Sequence, residues 1–175
     1  MEQWDVYNKR RELTKKTAIR GKTKLQPGEF HKVVKFIVIR PDGKMLLTQR
    51  ADYKEYGLYW ECGGGSVKIA ETSYEGVKRE AEEEVGFVVD KERAFILESH
   101  TYEDCFVDIW VFPQEVSKKE ITFPDGESID AKWVDIDEFE KMHIDGTYSP
   151  ADVISKNVYN NAIKQIKYLY PDYLK

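Results

Sequence analysis

Apolar and polar residues alternate with two different periods along this chain, and the changes of period mark its elements. From Tyr74 the period is helical: at about 100° per residue Tyr74, Val77, Ala81 and Val85 gather on one stripe that can be buried against a sheet. Thr72 with Glu75 three residues later writes a capping box, and Gly86 after Val85 supplies a left-handed stop. Elsewhere the period is two, or the runs are β-branched. His31 to Arg40 and Lys44 to Arg50 read as strands joined into a hairpin by Pro41-Asp42-Gly43. Ala94 to Tyr102 and Phe106 to Phe112 read as a second pair around Glu103-Asp104, with Val107, Ile109 and Val111 on one face and Phe106, Asp108, Trp110 and Phe112 on the other. Trp4 to Tyr7 is expected as a short edge strand, Ala131 to Val134 as a later strand, and a short helix near Asp137. Pro150 to Leu169 carries Val153, Val158, Ala162, Ile166 and Leu169 at mainly helical spacing and reads as a C-terminal packing helix, 150–170.

The stretch from Gly63 to Phe87 carries the densest chemistry. Glu80 and Glu84 lie along one edge of the apolar stripe, with Glu83 just beyond. Carboxylates at i, i+3 and i+4 are neighbours on a helix, so without a cation each pair repels by a few tenths of a kcal/mol. A divalent cation reverses that sign, and Mg²⁺ or Mn²⁺, hard ions that take oxygen ligands, suit the cluster better than Zn²⁺. Two residues outside the stretch are also candidates. Asp108, an acid among aromatics, is costly unless paired or bound to metal, which makes it a candidate ligand or general base; it can equally reach solvent on an edge strand. Arg50, at the end of its strand, is a candidate phosphate contact or a structural cation. Tyr53, Tyr56, Tyr59 and Trp60 crowd the loop before the glycines, where they either stack on a base-containing ligand or simply pack.

Length and charge narrow the rest. The 175 residues suit one domain, with residues 1–24 as an N-terminal basic extension and no second core. Lys and Arg number 27 against 32 Asp and Glu, a net charge of −5, which gives no general attraction to a polynucleotide or an anionic membrane. No apolar run approaches membrane-spanning length, and the N-terminus lacks a signal-peptide core. Two cysteines, Cys62 and Cys105, fit a reducing cytoplasm better than a disulfide scaffold. Tyr168, Tyr170 and Tyr173 leave a homodimer open.

Gly65, Glu71, Arg79-Glu80-Ala81 and Glu83-Glu84-Val85-Gly86-Phe87 together resemble the Nudix box, G-x5-E-x7-R-E-U-x-E-E-x-G-U with U apolar, and no position departs from it. The resemblance implies an α/β fold, a Nudix-type α/β/α sandwich with a mixed central sheet. It also implies a Mg²⁺- or Mn²⁺-dependent hydrolase that cuts a nucleoside diphosphate linked to another moiety, a small-molecule diphosphate substrate. On this chain it makes Glu80, Glu83 and Glu84 the metal ligands, aided by the carbonyl of Gly64 or Gly65. Arg79 is then paired with Glu71, and a box glutamate, Asp108 or the loop residue Glu127 is the general base. An Arg suits such a bidentate clamp in any case.

Two other readings compete. The order of Trp4, His31, a cysteine beside the box and Ser149-Pro150 is similar to isopentenyl-diphosphate isomerases, which share the fold and use a catalytic cysteine near the place of Cys62. Those enzymes follow that cysteine with a metal-binding histidine, where this chain has Gly63. A non-catalytic nucleotide-binding module is the third reading, although its usual trace, loss of box carboxylates, is missing. His31, His100 and His143 lack metal spacing with one another and are read as structural or solvated.

Overall fold

The computed structural model describes all 175 residues. Strand β3 (Glu29–Ile39) is the axis of the sheet. Its β-branched run, buried from Phe36 to Ile39, pairs in parallel with β8 (Cys105–Pro113) along its whole length, from His31 opposite Cys105 to Ile39 opposite Pro113. β7 (Phe95–Tyr102) lies antiparallel outside β8. On the other side of β3, the short glycine strand β6 (Gly64–Ser66) pairs antiparallel with Val33 to Lys35. β4 (Met45–Arg50) leaves β3 after the Pro41-Asp42-Gly43 turn and pairs with β9 (Ser128–Val134) and the two-residue β5 (Trp60–Glu61). The sheet is thus mixed, and its two halves part between β5 and β6.

Each face has its own core. The alternation read in β8 holds: Val107, Ile109 and Val111 join Ile37, Ile39, Met45 and Leu47 beneath α2 (Ile136–Ile144) and α3 (Lys156–Leu169). Val34, Phe36, Val38 and Phe112 instead meet Val77, Ala81 and Val85 of α1 (Ser73–Val85). Helices on both faces of one mixed sheet make the expected α/β/α sandwich. No helix is long and apolar enough to cross a membrane.

Two elements differ from the sequence reading. Residues 1–24 hold a hairpin, not a single strand with a basic extension: β1 (Gln3–Asn8) pairs with β2 (Leu13–Ile19) and joins the start of β3 through Tyr7 and Asn8. β2 buries only Ala18, opposite Trp4, so lysines occupy positions that a two-faced strand would fill with apolar residues. The C-terminal helix begins at Lys156, capped by Ser155, whose side chain accepts from Val158 N–H; residues 150–155 form a turn before it. Asp152 stands in that turn, fully buried at its side chain.

Candidate active site

The helix forms where its signals place it. Thr72 Oγ1 accepts from Glu75 N–H at 3.2 Å, Glu75 Oε2 accepts from Thr72 N–H at 2.8 Å, and Gly86 closes the helix at φ 73°. The preceding loop is held from the N-terminal hairpin: Ile69 N–H donates to Gln3 O at 2.8 Å and Ala70 N–H to Asp5 Oδ2 at 2.8 Å. These bonds steady Ala70 in the left-handed region, φ 63°, a conformation a non-glycine residue avoids without support.

Arg79 ties this loop to the helix. Its Nε and Nη2 donate to the two oxygens of Glu71 at 2.7 and 3.0 Å, and Nη2 also donates to Ser66 O at 2.9 Å. Its Nη1 reaches Glu80 Oε1 at 2.7 Å and Glu83 Oε2 at 2.9 Å. Burial alone would raise the Glu71 carboxyl, but the hydrogen bonds from Arg79 and from Lys68 N–H, with the charges of both residues, together outweigh that and hold it below the ordinary range.

Two box carboxylates are pressed against the glycines. A Cβ on Gly65 would lie 2.6 Å from the Glu80 carboxyl, and one on Gly63 would lie 2.1 Å from Phe36 Cζ and 2.3 Å from Glu84 Oε2, so a side chain at either place would displace these groups. Phe36 N–H donates to Gly63 O, and Gly64 lies opposite Lys35 in the register. In an antiparallel ladder that alternation turns the N–H and C=O of Gly64 away from β3. The N–H of Gly64 accordingly meets Glu84 Oε2 at 3.2 Å. Glu84 is 6% exposed, and burial pushes its carboxyl well above the ordinary range, partly offset by Lys35. Burial also raises Glu80.

This donor set fits a hard divalent cation: carboxylate oxygens with a peptide carbonyl beside them, two of the acids carrying a burial penalty that positive charge would relieve. No three acidic or imidazole side chains yet converge as a metal cluster. Arg79 draws Glu80 and Glu83 to itself while Glu84 turns to Gly64, so a cation would compete with the guanidinium for Glu80 and Glu83.

Of the other candidates, Glu127 stands on the loop that touches the C-terminal end of the box helix. It forms an ion pair with Lys54, and its loop meets the end of the helix through Asp125 N–H to Glu83 O at 3.3 Å and Thr122 N–H to Val85 O at 3.1 Å. Asp108 does not. It is buried at the opposite end of α1, accepting from Ser73 Oγ at 2.7 Å and from Ser99 Oγ, with Arg11 Nη1 at 3.6 Å. Ser73 and Glu84 are about 16 Å apart along the helix axis at its usual rise. Arg50 is committed as well, to Glu61 Oε1 at 2.6 Å and Glu55 O at 2.8 Å. The thiol of Cys62 is 0% exposed on the α2–α3 face, 3.8 Å from Met45 Sδ, and burial raises it far above the ordinary range. A sealed, protonated thiol on that face does not serve as the exposed cysteine of an isomerase.

Sequence reasoning missed Lys35, Glu61, Asp125 and Asp152. One signal was available for Lys35, the one polar residue in the apolar run from Val33 to Ile39.

The comparisons agree with this geometry. The family model described as the NUDIX domain matches residues 29–155. An uncharacterized Nudix hydrolase of Listeria monocytogenes is 36% identical over 152 residues, 86% of this chain and 89% of that protein, and one of Listeria innocua is 35% identical over the same shares. Among solved structures, DR0079 of Deinococcus radiodurans superposes with a TM-score of 0.72 at 18% identity, over 93% of this chain and 98% of its own. The MutT protein of Methanosarcina mazei Go1 gives 0.61 at 19% identity, over 79% and 96%. At that identity the structural matches establish the fold. Family model and relatives together go further: the chain belongs to the Nudix hydrolases, pyrophosphohydrolases that act on acid anhydrides of small molecules and generally use divalent metals.

Proposed function

We propose that this Nudix hydrolase cleaves the diphosphate bond of a nucleoside diphosphate linked to another moiety, using Mg²⁺ or Mn²⁺. The observation that carries the reading is Glu84, a carboxylate buried against Gly64 N–H beside a second, half-buried acid, Glu80. Glu80, Glu83, Glu84 and the Gly64 carbonyl would hold the cation. When bound, the cation neutralises the diphosphate and makes water more acidic.

The chain's own groups do the rest. Arg79, anchored on Glu71, fixes the helix against the glycine strand. Glu127 accepts the proton of the attacking water, and Lys54, on the loop that follows Ala51, pairs with its carboxylate. As the new O–P bond forms, the bond from phosphorus to the bridging oxygen breaks, and that oxygen departs with the second phosphate. The products are two monophosphates. Tyr53 and Tyr56, 71% and 42% exposed on the same loop, offer aromatic faces to a base. Their exposure supports a base-containing substrate.

The test is phosphate-product release with Mg²⁺ or Mn²⁺ across nucleotide sugars, ADP-ribose, dinucleoside polyphosphates, nucleoside triphosphates and isopentenyl diphosphate. Cleavage of one nucleotide class, reduced at least about 100-fold in Glu84→Gln and in Glu127→Gln, is the expected result. Full turnover in Glu127→Gln removes it as the base. Silence on every nucleotide overturns the hydrolase reading.

A further inference from the structure

The glycine strand that faces the box helix is reached through Cys62, and the backbone of Cys62 is held by side chains. Trp60 and Glu61 pair with β4, whereas Gly64 to Ser66 pair with β3, so Cys62 and Gly63 cross the gap where the sheet divides. At Cys62 the missing ladder partners are supplied by two charged residues. Its N–H donates to Asp152 Oδ2 at 2.8 Å, and its carbonyl accepts from Lys35 Nζ. The same Asp152 oxygen lies 3.3 Å from Lys35 Nζ and accepts from Tyr148 Oη at 2.9 Å, while Oδ1 accepts from Ile154 N–H at 3.1 Å.

The placement is costly unless it has a use. The Asp152 side chain is 0% exposed and that of Lys35 13%, and burying such a pair gives up the hydration of both ions. Neither residue belongs to the box. Both act on Cys62, two residues before Gly64, whose N–H meets Glu84 Oε2.

We propose that Asp152 and Lys35 are positioning residues of the cation site: by gripping both backbone groups of Cys62 across the divided sheet, they set where the Gly64 carbonyl stands relative to Glu84 and Glu80. The proposal rests on the cation site described under the proposed function. It brings into the active centre a turn, 148–154, that begins 61 residues beyond Phe87 at the end of the box and links it to the helix α3 that follows. Hydrogen-bonding partners that orient ligands are commonly worth 10- to 100-fold in metal affinity.

The test measures Mn²⁺ binding without substrate, by electron paramagnetic resonance of the free ion, alongside thermal unfolding and turnover. Asp152→Asn keeps an acceptor for Cys62 N–H but releases Lys35; Lys35→Met removes the donor to the Cys62 carbonyl. Each is expected to weaken Mn²⁺ binding about 10-fold or more, and saturating Mn²⁺ should restore most of the lost turnover in Asp152→Asn. Tyr148→Phe withdraws one donor without stranding a charge and is expected to weaken binding about threefold; it carries the test if the other two do not fold. Wild-type Mn²⁺ affinity in folded Asp152→Asn and Lys35→Met, or in Tyr148→Phe where those fail to fold, overturns the proposal. Glu84→Gln separates the two failures: if it too binds Mn²⁺ normally, the cation site itself is wrong and the proposal falls with it, whereas loss of binding there with none in the clamp variants overturns the clamp alone.

Discussion

Arg79 holds Glu71 through two parallel hydrogen bonds of 2.7 and 3.0 Å, and its remaining nitrogen spans Glu80 and Glu83. One guanidinium therefore does two things, pinning the loop to α1 and standing in for a cation among the acids. A lysine can do neither from one place, because its ammonium is a point charge without the planar fork. Arg79→Lys is expected to lower kcat/KM at least about 10-fold and the unfolding temperature by a few degrees. Steady-state kinetics with a melting curve checks both, and unchanged kinetics would mean the fork is dispensable.

Glu84 predicts an opposition between stability and activity. A carboxylate buried beside another acid is unfavourable until a cation joins it. Glu84→Gln should therefore raise the unfolding temperature of the metal-free protein by a few degrees while removing the stabilisation that Mn²⁺ gives the wild type. At a hundredfold excess of ion over Kd that stabilisation is about 2.7 kcal/mol. Melting curves with chelator and with Mn²⁺ test it; a variant that melts lower in chelator and still responds to Mn²⁺ contradicts it.

The box helix was legible because its signals are local. Thr72, Glu75 and Gly86 act within a turn of themselves, and Val77, Ala81 and Val85 declare a face by spacing alone. The fold class followed from the same periodicities and the box. What escaped was set by distant partners. Nothing near Asp152 in sequence announces that it meets Cys62 ninety residues earlier, and nothing near Asp108 announces Ser73 and Ser99. β2 escaped for another reason: an edge strand that buries one alanine has no apolar alternation to read. Composition found the acids of the site, whereas the hydrogen bonds that place them belong to the tertiary structure.

Asp108 supplies a contrast with the box acids. Its carboxylate is met by two hydroxyls and faces Arg11, itself stacked 4.5 Å over Phe106, so it fastens the N-terminal hairpin and the start of α1 to the sheet. Asp108→Ala should cost about 1–3 kcal/mol by leaving those donors without an acceptor. Turnover per folded molecule should stay within about twofold, since the residue sits at the far end of the helix. A hundredfold loss of kcat in a folded variant would return Asp108 to the chemistry.

His31 makes that hairpin sensitive to pH. Its ring stacks on Trp4 at 4.1 Å, its Nδ1 is buried without a partner, and burial lowers its pKa below the ordinary value near 6.5. A histidine depressed in the folded state takes its proton more readily when unfolded, so its contribution is full above about pH 6.5 and is lost as pH falls toward the folded value. Denaturant unfolding between pH 7.5 and 5 should show this loss in the wild type, and a shallower slope in His31→Phe. Equal slopes would remove His31 as the source.

Cys62 gives the sharpest test between hydrolase and isomerase. Its thiol packs at 3.8 Å from Met45 Sδ within the α2–α3 core, on the face opposite the box helix, so replacing it removes a small apolar group and no reactive one. Cys62→Ala should keep hydrolytic kcat within about twofold and cost about 1 kcal/mol, because its backbone, which Asp152 and Lys35 hold, is untouched. Alkylating reagents should leave the native protein active until it is unfolded, since the sulfur is sealed and protonated. Rapid inactivation of the native protein, with protection in Cys62→Ala, would place the thiol within reach of substrate and favour the isomerase.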